Sequence, residues 1–199
     1  MNKSVAVGGS AFSQYHGLIL KEAGVDGVEI HAIHEGYLLD QFTIKNTNKR
    51  TDEYGGNLEN RLRLANEIIQ EVRSSVGEDY ILAIRFGAYD YWEGGSELDE
   101  IPIAVRSFID SGVDLIDISG GLCRFQNPYD RAPGYFKELS KIAKEASSVP
   151  VILTGGVKKA RDAENLLKEG YCDLIGIGRA MIMDAEWSKK ALKSLENMQ

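Results

Sequence analysis

Cysteine is scarce, with two thiols among 199 residues. Cys123 and Cys172 show neither a C-x-x-C pair nor metal-like spacing, so they read as reduced bystanders rather than an iron–sulfur or zinc site, and no metal is expected. Long apolar runs are missing too. No stretch approaches the roughly 18 residues a membrane span needs, and no signal-peptide pattern opens the chain, so no membrane partner and a cytoplasmic location are expected. Positive charge is in deficit. Against 30 Asp and Glu stand 23 Lys and Arg, a formal net charge of −7, which argues against a nucleic-acid footprint. With no low-complexity segment or internal linker, residues 1–199 read as one domain, long enough to bury roughly 70% of its unfolded surface. The first dozen residues, Gly8-Gly9-Ser10 among them, read as a loose lead-in, with Ser4-Val5-Ala6-Val7 offering at most one short strand.

What is present is an internal repeat. Ala-Gly-Val-Asp-Gly-Val-Glu-Ile at 23–30 recurs as Ser-Gly-Val-Asp-Leu-Ile-Asp-Ile at 111–118, and more loosely as Glu-Gly-Tyr-Cys-Asp-Leu-Ile-Gly-Ile at 169–177. Each copy reads as a helix ending at glycine, an Asp-marked turn and a short buried strand. Tyr80–Arg85 and Val149–Leu153 have the same strand character. Between these five runs lie helical patterns: Leu58, Leu62, Ala65, Ile68, Ile69 and Val72 on one face of 57–76 with Asn57 as cap, then 134–147 and 158–168. Near-continuous apolar strands alternating with helices indicate a parallel sheet covered by helices, an α/β fold.

Candidate chemistry gathers where those strands end. His31 and His34 follow the first run, with Tyr37 three residues on. Two imidazoles there can converge on one carbonyl oxygen, and a phenol adds a proton source. Arg85 ends the second run and Ser119-Gly120-Gly121 follow the third. Thr154-Gly155-Gly156 and Gly178-Arg179 follow the fourth and fifth. The glycines let backbone N–H groups approach an anion, helix N-termini favour negative charge, and Arg179 can fork onto phosphate oxygens. Functional residues at C-terminal strand ends are the habit of (β/α)8 TIM barrels, whose last two loops often hold phosphate. A doubly wound sheet is disfavoured, because no G-x-G-x-x-G turn follows the first strand. A complete barrel takes about 250 residues, so the five βα units read as a barrel truncated to about its last five.

V-E-I-H-x-x-H with G-Y-L-L-D-Q-F, then N-K-R-T-D-E-Y-G-G-N-L-E-N-R-L-R, A-I-R-F, L-T-G-G and D-L-I-G-I-G-R-A, resembles the old yellow enzyme family of FMN-dependent ene-reductases. The likeness runs from about residue 17 to about 187. The H-E-G-Y variant resembles the branch that contains anaerobic enoate, dienoyl and bile-acid reductases. The resemblance implies an FMN-dependent NAD(P)H oxidoreductase that reduces a small activated alkene. In that reading His31 and His34 polarise the carbonyl or carboxylate, Tyr37 supplies the proton, and Arg85 lies by flavin N1 and O2. Gly155, Gly156, Gly178 and Arg179 surround the FMN phosphate. Asn48, Arg50, Asp52, Tyr54, Gly55 and Gly56 match a loop signature that reads as structural. Glu35 displaces Tyr37 by one residue from the histidines relative to many family members. Three βα units precede the V-E-I-H strand in the family, against about 25 residues here. This implies a missing N-terminal portion, a partner chain, or self-association. The alternative function is therefore a catalytically silent partial barrel, or a subunit that keeps only the phosphate-binding half. An aldolase or isomerase barrel is weakened by the lack of a strand-end lysine.

Overall fold

A computed structural model describes residues 4–8 and 14–196, with side chains from Gly17 onward. The strands are β1 (Ser4–Gly8), β2 (Gly27–Ile33), β3 (Ile81–Gly87), β4 (Leu115–Ser119), β5 (Val151–Thr154) and β6 (Leu174–Gly176). They form one parallel sheet in chain order. The helices are α1 (Gln14–Glu22), α2 (Leu38–Thr43), α3 (Leu58–Val76), α4 (Ile101–Asp110), α5 (Lys137–Ala146), α6 (Ala160–Lys168), α7 (Arg179–Met183) and α8 (Trp187–Glu196). Among the described residues the five strands expected from the sequence are all present, and a sixth joins them: Ser4–Gly8, at the short strand offered within the lead-in, pairs in parallel with Gly27–His31. The rest of the 1–12 segment lies outside the described residues.

The repeat has a physical basis. Gly24, Gly112 and Gly170 all adopt positive φ. In each case the next residue's N–H reaches back to a helix carbonyl: Val25 to Leu20, Val113 to Phe108, Tyr171 to Leu166. This is the Schellman end that only glycine makes without a Cβ penalty. The turn aspartates then satisfy a neighbouring strand's first N–H groups. Asp114 Oδ2 accepts from Leu82 N at 2.8 Å, and Asp173 Oδ2 from Val151 N at 3.0 Å.

One sheet face is apolar throughout. Val28, Ile30, Leu82, Ile84, Ile116, Ile118, Val151 and Leu153 are buried against the helices. From α3, Leu62, Ala65, Ile69, Val72 and Val76 fill the interface at helical spacing, and Phe86 meets Phe108 of α4 edge-on at 5.4 Å. Each such large side chain contributes roughly 1.5–3 kcal/mol by leaving water. Asn57 caps α3 by accepting Asn60 N at 2.9 Å. The opposite face carries Glu29, His31, Arg85, Asp117 and Thr154, the residues on which the site is built.

Candidate active site

His31 does not follow its strand but lies within it, and His34 is the first residue beyond. On a regular strand, residues three apart point to opposite faces. Here the β2–β3 register shifts between His31 and Ile33, so Ala32 is an extra residue. Such a bulge re-aims the side chains that follow it. The two imidazoles consequently meet with ring centroids 5.1 Å apart. The Tyr37 ring stands 5.9 Å from that of His31 and is half exposed.

The turn between them is held from below by Asp40, which the sequence reading missed. Its buried carboxylate accepts Gly36 N at 2.5 Å, and the N–H groups of Tyr37 and His34 also point to it. Burial pushes its pKa up to about 7, against those donors. His34 is fixed through its other side, with Nδ1 2.6 Å from Gly120 O. Burial lowers the pKa of both imidazoles, that of His31 to about 4, with Arg85 adding to the effect. Both rings are therefore neutral near pH 7.

Register places His31 beside Arg85 and Arg85 beside Asp117. The guanidinium forms an ion pair with Asp117 and donates to Ser119 Oγ at 3.1 Å. Glu29 stands one inward step below His31. Burial, then the Asp117 charge, pushes its pKa up to about 7. Burial likewise raises that of Asp117 to about 6. Glu29 and Asp117 escaped the sequence reading as site residues. The available signal was a carboxylate at the same place in two copies of an otherwise apolar repeat.

From Arg85 a cleft of about 530 Å³ runs to Arg179, over Asp117, Ser119, Thr154, Gly155, Gly156 and Gly178 and against Phe125, Tyr135 and Phe136. Gly155 and Gly156 have positive φ, and a Cβ on Gly156 would fall 2.6 Å from the Tyr135 ring. Arg179 lies over the Phe125 ring at 5.4 Å and donates to Tyr135 Oη at 3.0 Å. Asp117 Oδ1 is buried without a hydrogen-bond partner at the inner end of the cleft. Volume, aromatic wall and a guanidinium at each end suit a flat polycyclic ligand with an anionic tail, so the residues present fit FMN. The structure thus groups His31, His34 and Tyr37 at one strand end. It groups Gly155, Gly156, Gly178 and Arg179 around a cleft that the first three do not line, and Arg85 touches both groups.

The 48–56 loop is braced internally, as its structural reading anticipated. Asn48 Nδ2 donates to Phe42 O and Tyr54 O at 2.6 Å each, and Tyr54 Oη donates to Glu67 at 3.1 Å. Burial pushes the thiol of Cys123 up to about 12 and that of Cys172 to about 11, and both cysteines are unpaired. Among the described residues no helix is long and apolar enough to cross a membrane.

The sequence model of the NADH:flavin oxidoreductase / NADH oxidase family matches residues 19–198. The chain is 36% identical over 182 residues to an NADH oxidase of Thermoanaerobacter brockii, covering 89% of this chain and 28% of that protein. It is 39% identical over 176 residues to an NADPH dehydrogenase of Bacillus subtilis, covering 88% of this chain and 51% of that one. A cinnamate reductase of Clostridium sporogenes is 35% identical over 192 residues, covering 86% of this chain and 29% of that protein. Among solved structures, 2-naphthoyl-CoA reductase in complex with 2-naphthoyl-CoA superposes with a TM-score of 0.84 at 32% identity, covering 91% of this chain and 28% of that one. The chain therefore spans between about a quarter and a half of the length of these proteins. The structural neighbours are TIM-barrel flavoenzymes, which makes the sheet described above part of such a barrel. The family uses FMN, with NAD(P)H as reductant. By sequence match and by fold, this chain belongs to the NADH:flavin oxidoreductase / NADH oxidase family.

Proposed function

We propose that this chain carries the substrate-polarising and phosphate-holding part of an FMN-dependent NAD(P)H oxidoreductase that reduces activated C=C bonds of the enone or enoate type. The observation that carries the reading is the bulged strand end, which sets His31 and His34 together beside Arg85. When bound, reduced FMN supplies the hydride. The chain's own groups do the rest. His31, neutral at pH 7, offers an N–H to the substrate oxygen and draws electron density from the double bond. His34 closes the other side of that oxygen site. Tyr37, at the solvent side of the pair, is placed to pass a proton to the α-carbon. Arg85 sets a positive charge at the inner end of the cleft, where it favours an anionic ring edge. Arg179 and the N–H groups after Gly155 and Gly178 receive the phosphate. The cinnamate reductase relative supports the alkene class, and the NADPH dehydrogenase relative the nicotinamide reductant.

The test is the His31→Ala/His34→Ala double variant, assayed at saturating FMN with enone and enoate substrates. Removing one such donor costs roughly 10²–10³-fold in kcat, so at least that loss is expected, with FMN affinity unchanged. Undiminished turnover overturns the assignment. A second reading, a silent partial barrel that keeps only phosphate affinity, is favoured by one observation. The inward-facing side chains of Ile81 and Leu174 are 51% and 47% exposed.

A further inference from the structure

The turn after β2 requires two consecutive left-handed residues, Glu35 at φ +58° and Gly36 at +80°. Gly36 meets that demand freely, whereas Glu35 holds a conformation that glycine would adopt without strain. What the carboxylate gains there is proximity. Its Oε1 lies 3.8 Å from His34 Nε2, with the two side chains 24% and 6% exposed.

The other imidazole nitrogen is already committed. His34 Nδ1 is 2.6 Å from Gly120 O, and a carbonyl oxygen only accepts, so Nδ1 carries the hydrogen. A neutral ring fixed in this tautomer has a bare Nε2, which can accept a hydrogen bond but cannot donate one. His34 can therefore present an N–H from Nε2 to a substrate oxygen only as the imidazolium. The groups around the ring divide on that state. Burial and the Arg85 guanidinium on β3 oppose the charge, and His31 on β2 adds to the opposition when protonated. The Gly120 carbonyl after β4 and Glu35 favour it. Asp40 of α2 takes the backbone N–H of His34 rather than its ring.

We infer that Glu35 is a positioning residue that acts through His34, its carboxylate favouring a second proton on Nε2 so that the ring, neutral in the empty site, can meet a substrate oxygen as a charged donor. The inference rests on the reductase reading above and adds to it a residue outside the H-x-x-H…Y pattern. It also gives the strained backbone a purpose: the carboxylate reaches Nε2 because the turn is left-handed at its own position.

The test needs neither flavin nor substrate. Long-range ¹⁵N–¹H spectra of the 199-residue chain resolve three histidines, with His16→Gln and His31→Asn used for assignment. His34 is expected as the Nδ1–H tautomer at neutral pH, gaining its second proton at Nε2 on acidification. E35Q and E35G are expected to move that midpoint to measurably lower pH while His31 moves less, and E35D to restore it. E35G relieves the backbone, so an undiminished melting temperature separates a lost carboxylate from a lost fold. A resting Nε2–H tautomer, an unmoved midpoint in E35Q, or equal movement of both histidines overturns the inference. An unmoved midpoint leaves the reductase reading intact, and a failed alkene assay leaves the His34–Glu35 pair intact.

Discussion

Glu29 shows what a single inward carboxyl does to the whole chain's stability. Burial, reinforced by Asp117, raises its pKa from the ordinary 4.5 to about 7, and Arg85 only partly offsets this. Between those values the folded chain holds a proton that the unfolded chain has released, so this residue lowers stability as pH rises from about 4.5 to 7. His31 acts in the opposite sense. Its pKa falls from 6.5 to about 4, so the unfolded chain binds the extra proton, and stability rises with pH across that window. Glu29→Gln removes the first contribution and leaves the second. Urea unfolding at pH 4.5, 5.5, 6.5 and 7.5 should show the variant gaining on the parent chain as pH rises. Parallel curves would mean that Glu29 is solvated as in the unfolded chain.

At the scale of elements, α3 is anchored at both ends. Its cap is Asn57, and Arg73 in its last turn is buried, donating to Gly112 O, Gly77 O and Tyr80 O and pairing with Asp114 at 2.5 Å. Asn57→Ala is expected to cost about 1 kcal/mol. Arg73→Met is expected to cost more, about 3 kcal/mol, because it strips donors from three carbonyls and a charge from Asp114. Chemical denaturation of the two variants checks the order, and equal costs would rule out the Arg73 hub. Elements of this kind were legible in the sequence wherever one local rule decides them. Apolar strands, glycine-ended helices, the Asn57 cap and the 3.6-residue stripe on α3 each follow from a few adjacent residues. β1 was only faintly legible, because Ser4-Val5-Ala6-Val7 offers one short strand at most and Ser4–Gly8 becomes a strand only by pairing with β2. The site was half legible. Its imidazoles, tyrosine, arginines and glycines stand in local motifs, so they could be named. The bulge at Ala32 and the Gly120 carbonyl on His34 depend on register and on a contact across 86 residues of sequence, which no local pattern encodes. The Asp40 brace, by contrast, lies only four residues from Gly36 and is missed because a reading for catalytic side chains does not pick out a turn carboxylate.

For the molecule as a whole, the inner face of the sheet decides how well the cleft can work. Among the described residues the sheet runs from β1 to β6 without closing. It leaves Ile81 and Leu174 about half exposed on the side where a closed barrel packs layers of side chains. Both edge strands of the described sheet offer N–H and C=O groups to a neighbouring strand, and the exposed Ile81 and Leu174 add a hydrophobic contribution to the same event. On the proposed reading the cleft between Arg85 and Arg179 would hold its ligand along one wall, and affinity depends on how much of the site is already in place before binding. Purified alone, the 199-residue chain is therefore expected to bind FMN weakly and to self-associate. Size-exclusion chromatography with simultaneous protein and flavin absorbance reads both properties at once: the expected result is early-eluting, largely colourless protein that takes up FMN only at high concentration. A clean monomer carrying one FMN would show that the described sheet and its loops form a sufficient pocket, and would move the silent-barrel reading aside in favour of an enzyme complete in this chain.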